Sequence, residues 1–130
     1  MRKSAPDLAD LANEFDVKPF QTLMSLQGGP DVLSRAASLL PNDDAITSSL
    51  KQLQTLVTHL SGSASVNIHI DLADVFGYRY HTGLKYSAYV DGRGRTVAQG
   101  GRYDRIGEEF GRARPATGFS TDLKSLVKLG

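Results

Sequence analysis

The 130-residue chain has no cysteine, no tryptophan and no long run of apolar residues. Without cysteine it cannot form a disulfide bond, a catalytic thiolate or a thiolate metal site, which suits a reducing compartment. No segment approaches the roughly 18 consecutive apolar residues of a membrane-spanning helix, and the start of the chain lacks the apolar core of a signal peptide. These absences predict a cytoplasmic protein without a membrane partner.

The residue patterns of several catalytic and cofactor sites are also missing. His59, His69 and His81 are too scattered for a zinc site, and no phosphate-binding GxxxxGK[ST] or GxGxxG motif is present. No serine stands in a GxSxG elbow or has a histidine and an acid suitably placed in sequence. We therefore expect no metal and no cofactor. The composition, 40% hydrophobic and 22% charged, is that of an ordinary globular domain.

Charge is unevenly distributed, although the formal net charge is only +1. Residues 1–74 carry five basic and nine acidic groups, whereas residues 75–130 carry ten and five. Arginines that could bind phosphates and tyrosines that could stack on bases keep a small RNA-binding module open as an alternative. Against it, Asp91, Asp104 and Glu108 are interleaved with the arginines, which favours an internally paired surface over a nucleic-acid partner.

Before about residue 60 the apolar residues recur at helical spacing, and four helices fit this half of the chain. A first apolar stripe runs through residues 8–15. A second stripe contains Ile46, Leu50, Leu53, Val57 and Leu60. It predicts a helix over about 43–60, with Asn42 as the N-cap and the two following aspartates facing the positive end of the helix dipole. The Gly-Gly-Pro sequence at 28–30 predicts a break between helices.

After residue 63 the sequence is typical of strands. Alternating apolar and polar residues predict a strand over 66–72 with one buried face, and His69 on its polar side is expected to be structural. Runs at 84–90 and 95–101 flank an Asp-Gly-Arg-Gly turn and predict an antiparallel hairpin. A short helix near 104–110, a strand near 115–120 and a helix from about 121 complete the order. Helices followed by a mostly antiparallel sheet indicate an α+β fold.

Two short segments are candidates for a ligand site. Gly100 and Gly101 follow a predicted strand, where glycine either lets the backbone approach a ligand or marks an ordinary bulge or bend. Tyr80, His81 and Thr82 place rings and a hydroxyl at the entrance to a strand, which is a plausible wall for a small polar ligand. A loop that only packs its aromatic rings is the alternative.

Three segments together resemble the second half of a class II histidyl-tRNA synthetase core. These segments are FGYRYHTGLKYSAYV at 76–90, GGRYDRIGEEFG at 100–111 and RPATGFSTDL at 114–123. The family's Arg-Gly-Leu-Asp-Tyr-Tyr-Thr-Gly, Gly-Gly-Arg-Tyr-Asp and third motifs occur in the same order and spacing. The resemblance implies that residues 63–130 form the C-terminal part of such a core and that residues 1–62 resemble the helical insertion between motifs two and three.

Departures from the motifs favour a non-catalytic relative of the synthetases. The arginine that assists histidine activation in the family falls on Phe76, and the arginine that holds ATP phosphates falls near Ser125. Such losses resemble the regulatory subunit of ATP phosphoribosyltransferase. This resemblance implies no catalytic activity, a short-form catalytic phosphoribosyltransferase subunit as partner, and feedback control by L-histidine in the first step of histidine biosynthesis. A fragment of a true histidyl-tRNA synthetase is the alternative.

The resemblance also implies a set of site residues. Carried over by motif, a histidine-like effector pocket would contain Tyr80, His81, Thr82, Gly100, Gly101, Arg102 and Tyr103. Asp104 could balance the charge of the arginine, and no residue is assigned a catalytic role. The family's upstream dimer-forming segment and motif-two hairpin are not found before residue 64, so we expect a fragment. Unpaired sheet edges would then favour a homodimer or higher oligomer.

Overall fold

The chain divides into two compact units, residues 1–75 and 76–130. The structure, a computed structural model, describes residues 17–62, 66–74, 82–92, 94–105, 107 and 111–128. The first unit is mainly helical and the second is built on an antiparallel sheet, which confirms the α+β class. The division predicted from the resemblance, between a helical insertion at residues 1–62 and a core segment at residues 63–130, stays a prediction.

In the first unit, three helices and two very short strands are described. The helices are α1 (Lys18–Ser25), α2 (Val32–Leu39) and α3 (Asp44–Ser61). Strands β1 (Gln27–Gly28) and β2 (Ile70–Asp71) pair antiparallel. The predicted break is confirmed, because Gly28 has a φ of 141° and α2 begins two residues after Pro30. A fourth helix, predicted on the stripe at 8–15, lies outside the described residues.

The core of the first unit gathers at the junction of α1, β1 and α2. Leu26 and Val32 are fully buried there, and they form one cluster with four further buried residues: Leu33, Ala36, Val57 and Ile70. Leu50 and Leu53 of the predicted helical stripe pack against this cluster, whereas Leu60 remains 40% exposed. No helix in the described part of the chain is long and apolar enough to cross a membrane.

The strand predicted over 66–72 is wrong in its extent. Only Ile70 and Asp71 pair with a neighbour, and Val66 is 53% exposed. The partner strand β1 offers only two residues before the turn at Gly28, so there is no ladder for residues 66–69 to join. The chain then turns, because the carboxylate of Asp71 accepts a hydrogen bond from the backbone N–H of Ala73 at 2.8 Å.

Helix α3 is capped one residue later than its sequence predicts. Asp43, not Asn42, is the N-cap, and its Oδ1 accepts hydrogen bonds from the backbone N–H groups of Ala45 at 2.8 Å and Ile46 at 3.2 Å. The extended conformation of Asp43 allows this geometry, and its negative charge also suits the positive end of the helix dipole.

The variant Asp43→Ala should lower the free energy of unfolding by about 1 kcal/mol, because two amide donors lose their acceptor. Asn42→Ala is the matched control, and as a surface change it should alter stability by less than about 0.5 kcal/mol. Urea denaturation followed by far-UV circular dichroism measures both. A larger effect at Asn42 than at Asp43 would contradict the assignment of the cap.

In the second unit, the described residues form a three-stranded antiparallel sheet and a short helix. Strands β3 (Lys85–Tyr89), β4 (Thr96–Tyr103) and β5 (Ala116–Thr121) lie in that order, and helix α4 spans Leu123–Val127. The hairpin, the later strand and the closing helix are therefore confirmed, with Gly92 at a φ of 77° in the hairpin turn. The helix predicted near 104–110 falls largely outside the described residues, and Asp104 and Arg105 lie in a bend.

Candidate functional site

Gly100 lies in the middle of the sheet, in the central strand β4. It pairs with Tyr86 on one side and with Phe119 on the other. A Cβ atom at this position would overlap the carbonyl oxygen of Gly118 and stand 2.9 Å from the Cα of Phe119. The missing side chain therefore allows β5 to approach β4. The bulge considered for these glycines lies elsewhere, between Ala88 and Tyr89 of β3.

At the end of β4 three polar residues form a small connected cluster. Arg102 Nε donates to Asp104 Oδ1 at 2.8 Å, and the backbone N–H of Asp104 donates to Thr82 Oγ1 at 2.7 Å. The N–H of Thr82 donates to the carbonyl of Arg102 at 3.2 Å, and the N–H of Arg102 donates to the carbonyl of Leu84 at 2.9 Å. Segment 82–84 is thereby fixed beside the end of β4.

Gly83 gives the arginine side chain the space that it occupies. A Cβ atom on Gly83 would stand 3.3 Å from Cδ and 3.4 Å from Cβ of Arg102, which is closer than most real contacts of this kind. The aliphatic part of Arg102 thus lies along the backbone of segment 82–84. Gly83 directly follows Thr82 of the candidate wall, and the structure shows that it contacts the side chain of Arg102.

The Arg102–Asp104 pair is both charged and reachable from solvent. Its side chains are 45% and 36% exposed. The hydrogen bond from Arg102 is the main cause that holds the pKa of Asp104 below its ordinary value. Desolvation acts in the opposite direction, while the positive charge of Arg102 and a hydrogen bond with Thr82 lower the pKa further. Asp104 is therefore a carboxylate at neutral pH. Among the described residues no group of three or more side chains could hold a metal ion.

The predicted pocket residues are distributed over both faces of the sheet. Successive side chains of a strand point to opposite faces, so Arg102 and Gly100 share one face, and Tyr103 and Gly101 share the other. The Tyr103 ring lies over Gly118, with Cε2 at 3.7 Å from the position of a Cβ there. The structure thus brings Thr82 and Arg102 together and adds Asp104, which the predicted set omitted. Tyr80 and His81 lie outside the described residues.

Ser125, where the resemblance places the phosphate-binding arginine of the synthetases, has a structural role. Its hydroxyl donates to Asp122 Oδ2 at 2.8 Å, while Asp122 Oδ1 accepts from the N–H of Lys124 at 3.0 Å. Asp122 is the N-cap of α4, and the hydrogen bond from Ser125 is the main cause that lowers its pKa. An aspartate three residues before a serine at a helix start was the signal for this cap. Phe76, the other departure from the motifs, lies outside the described residues.

The lowered pKa values of Asp104 and Asp122 predict an acid-sensitive second unit. In the folded chain the pKa of each group lies below its ordinary value of 3.8. The stability that the two carboxylates contribute is therefore complete above pH 3.8 and is lost as the pH falls through their pKa values in the folded chain. The double variant Asp104→Asn, Asp122→Asn should therefore lose less stability than the parent between about pH 5 and pH 2. Tyrosine fluorescence measures this, because all five tyrosines lie in residues 76–130.

Asp91→Asn, which removes an exposed carboxylate in the hairpin turn, is the matched control for the double variant. If the double variant and the parent lost stability over the same pH range and to the same degree, the assigned roles of the two carboxylates would be wrong.

The helices, the antiparallel sheet and the motif residues on β4 and β5 define this protein as part of a class II aminoacyl-tRNA synthetase-like core. The model of the histidyl-tRNA synthetase family matches residues 1–126. The chain belongs to that family, which confirms the resemblance inferred from its motifs.

Within the family, the chain is similar to ATP phosphoribosyltransferase regulatory subunits. The subunit from Nitrosococcus oceani is 47% identical over 137 residues, which cover 99% of this chain and 34% of the relative. The subunit from Ralstonia nicotianae is 55% identical over 105 residues, which cover 81% of this chain and 26% of the relative. The chain thus spans about a quarter to a third of the length of these curated relatives.

A solved structure supports the same assignment of fold. It is a protein from Bacillus halodurans described as an ATP phosphoribosyltransferase regulatory subunit/histidyl-tRNA synthetase. The two structures agree with a TM-score of 0.77 at 25% sequence identity, over 95% of this chain and 35% of the other.

Proposed function

We propose that the chain is part of a non-catalytic regulatory subunit of ATP phosphoribosyltransferase. It would support the activity of a short-form catalytic subunit and its feedback control by L-histidine, in the first step of histidine biosynthesis. The names of its relatives at 47% and 55% identity support this function. Besides these names, the environment of Ser125 is the observation that supports the proposed function.

Ser125 is poorly suited to the role of the arginine that the resemblance expects near its position. An arginine offers a planar fork of donors that can hold two phosphate oxygens, whereas a serine offers one hydroxyl proton. Here that proton is donated to Asp122, and the Asp122 carboxylate places a negative charge beside the position. A negative charge repels the phosphates of ATP. Adenylation, the step that a synthetase must perform, is therefore disfavoured.

The site at the end of β4 suits an effector better than a reacting substrate. Arg102 is paired with Asp104, and Thr82 Oγ1 accepts a hydrogen bond from the Asp104 backbone, so the polar groups of the cluster already bind one another. An amino acid effector has only to bind at this site, whereas a substrate would also have to react there. L-histidine is the effector that this proposed function requires.

Self-association is part of the proposal. Within the described residues, β3 and β5 are the outer strands of a three-stranded sheet, and the outer strand of a sheet can pair with a strand of another chain. Such edges favour a homodimer or a higher oligomer. Sedimentation equilibrium of the complete gene product should therefore give a mass of at least two subunits, and a monomer at micromolar concentration would contradict this part of the proposal.

ATP–pyrophosphate exchange separates the proposal from its alternative, a histidyl-tRNA synthetase, which the name of the solved relative also mentions. The complete gene product is incubated with ATP, labelled pyrophosphate and L-histidine, and an active histidyl-tRNA synthetase serves as the positive control. We expect no exchange above background. Histidine-dependent exchange would overturn the regulatory proposal in favour of the synthetase.

A further inference from the structure

The turn between β3 and β4 contains Asp91 followed directly by Gly92, and the sequence has no other Asp-Gly pair and no Asn-Gly pair. We propose that this pair is a site of spontaneous isoaspartate formation, and that the isoaspartyl product is a substrate for a carboxyl methyltransferase that uses S-adenosylmethionine. The inference goes beyond the proposed function and does not depend on it.

The reaction needs only atoms of these two residues and water. The backbone nitrogen of Gly92 attacks Cγ of Asp91, and a C–N bond forms. One oxygen of the protonated carboxyl group leaves as water, which takes the amide proton, and a five-membered succinimide remains. Water then adds to the ring: opening at Cγ restores aspartate, whereas opening at the former peptide carbonyl gives isoaspartate, in which the chain continues through Cβ. No atom is oxidised or reduced, and the mass of the product is unchanged.

Both reacting groups are accessible in the structure. Asp91 and Gly92 are exposed, and among the described residues none forms a hydrogen bond with the Asp91 side chain or the Gly92 N–H. A Cβ atom on Gly92 would meet nothing within 4 Å, so the space around the turn is open. Gly92 has a φ of 77°, and glycine adopts either sign of φ easily, which lets the backbone reach the geometry of ring closure.

Four other aspartates in the described part of the chain lack these conditions. The carboxylates of Asp43, Asp71 and Asp122 accept hydrogen bonds from backbone N–H groups, and the carboxylate of Asp104 accepts one from an arginine. Each of the four also precedes a residue with a side chain, whose Cβ hinders attack by the backbone nitrogen. Asp91 differs from them in both respects.

The sheet can tolerate the product because of where the turn lies. Isoaspartate lengthens the backbone by one carbon atom at the tip of the hairpin, beside the pair Tyr89–Thr96. A bulge between Ala88 and Tyr89 separates this closing pair from the regular pairs further along the two strands. Loss of the closing pair therefore leaves the inner register in place, and the exposed tip stays within reach of a modifying enzyme.

Methyl labelling of the complete gene product tests the inference. The protein is kept folded at neutral pH for days and digested with trypsin, and the peptides are incubated with protein L-isoaspartyl methyltransferase and S-adenosylmethionine that carries a labelled methyl group. Cleavage after Lys85 and Arg93 isolates the peptide of residues 86–93, whose only acidic residue is Asp91. Label in this peptide should increase with the age of the protein.

The same digest supplies an internal control, the peptide of residues 113–124, which contains the hydrogen-bonded Asp122. After equal ageing the peptide of residues 86–93 should carry at least about tenfold more label, because only there does a glycine follow the aspartate. Asp91→Glu is the matched variant, since it keeps the charge and the glycine but would have to close a less favourable six-membered ring. Label in the first peptide no higher than in the second, or unchanged in Asp91→Glu, would overturn the inference.

A synthetic peptide of residues 86–93 separates the effect of the fold from that of the sequence. An exposed turn moves within microseconds whereas the reaction takes days, so the folded protein should form isoaspartate at a rate within about tenfold of the free peptide. A larger reduction in the folded protein would show that the turn holds the reacting atoms apart, and the site proposed for the folded chain would be wrong.

Discussion

Gly100→Ala is expected to lower the free energy of unfolding of the second unit by about 3 kcal/mol, near the upper end for an overpacked position. The new methyl group would overlap the carbonyl oxygen of Gly118 and lie 2.9 Å from the backbone Cα of Phe119. Backbone atoms cannot rotate away as the end of a side chain can. The pairing of β4 with β5 must therefore loosen, although Gly100 itself has ordinary extended geometry.

Gly94→Ala is the control for the Gly100 variant, because a Cβ at Gly94 would meet no atom within 4 Å and its φ is not in the left-handed region. It should change stability by less than about 0.5 kcal/mol. Urea denaturation followed by tyrosine fluorescence reports on the second unit alone, since no tyrosine precedes residue 76. Equal stability of the two variants would show that β4 and β5 are not packed as described.

Leu26→Ala should destabilise the first unit by about 3 kcal/mol, since truncation of a buried leucine commonly costs between about 2 and 5 kcal/mol. Leu26 is fully buried between α1 and β1, and its carbonyl accepts a hydrogen bond from the N–H of Leu72 at 3.1 Å. The shortened side chain would leave a cavity in the only buried cluster of the described part of this unit.

Leu39→Ala makes the same chemical change on the surface, where Leu39 is 57% exposed near the end of α2. This variant should lower the free energy of unfolding by less than about 1 kcal/mol, because the Leu39 side chain buries little apolar area in the folded chain. Far-UV circular dichroism during urea denaturation follows this unit, because the longest helices among the described residues lie in it. Equal costs at Leu26 and Leu39 would contradict the location of the core.

The elements predicted most successfully from sequence were those determined by nearby residues. The Asp-Gly turn between two strand-like runs was enough to predict the β3–β4 hairpin, and β5 forms where a strand was predicted near 115–120. Residues 66–69 alternate equally well but form no strand, because a strand needs a partner and β1 is only two residues long. Local periodicity contains no information about the length of a distant partner.

The candidate site was predictable in its motifs but less so in its geometry. Motif matching identified Thr82 and Arg102, and Asp104 was expected to balance the charge of the arginine. The hydrogen bond from the Asp104 backbone to Thr82, across 22 residues of sequence, could not be predicted from the motifs. The opposite orientation of Arg102 and Tyr103 could have been predicted, since neighbours on a strand face opposite ways. The cap at Ser125 could also have been predicted from the Asp122 that precedes the helix.

The central claim, a regulatory subunit under histidine control, is tested most directly by the rate of the short-form catalytic subunit of ATP phosphoribosyltransferase. The complete gene product is titrated into that subunit with ATP and phosphoribosyl pyrophosphate, first without and then with L-histidine, and L-alanine is the control. We expect the rate to rise with the added protein and L-histidine, but not L-alanine, to reverse the rise. A rate that does not respond to the added protein would contradict the account.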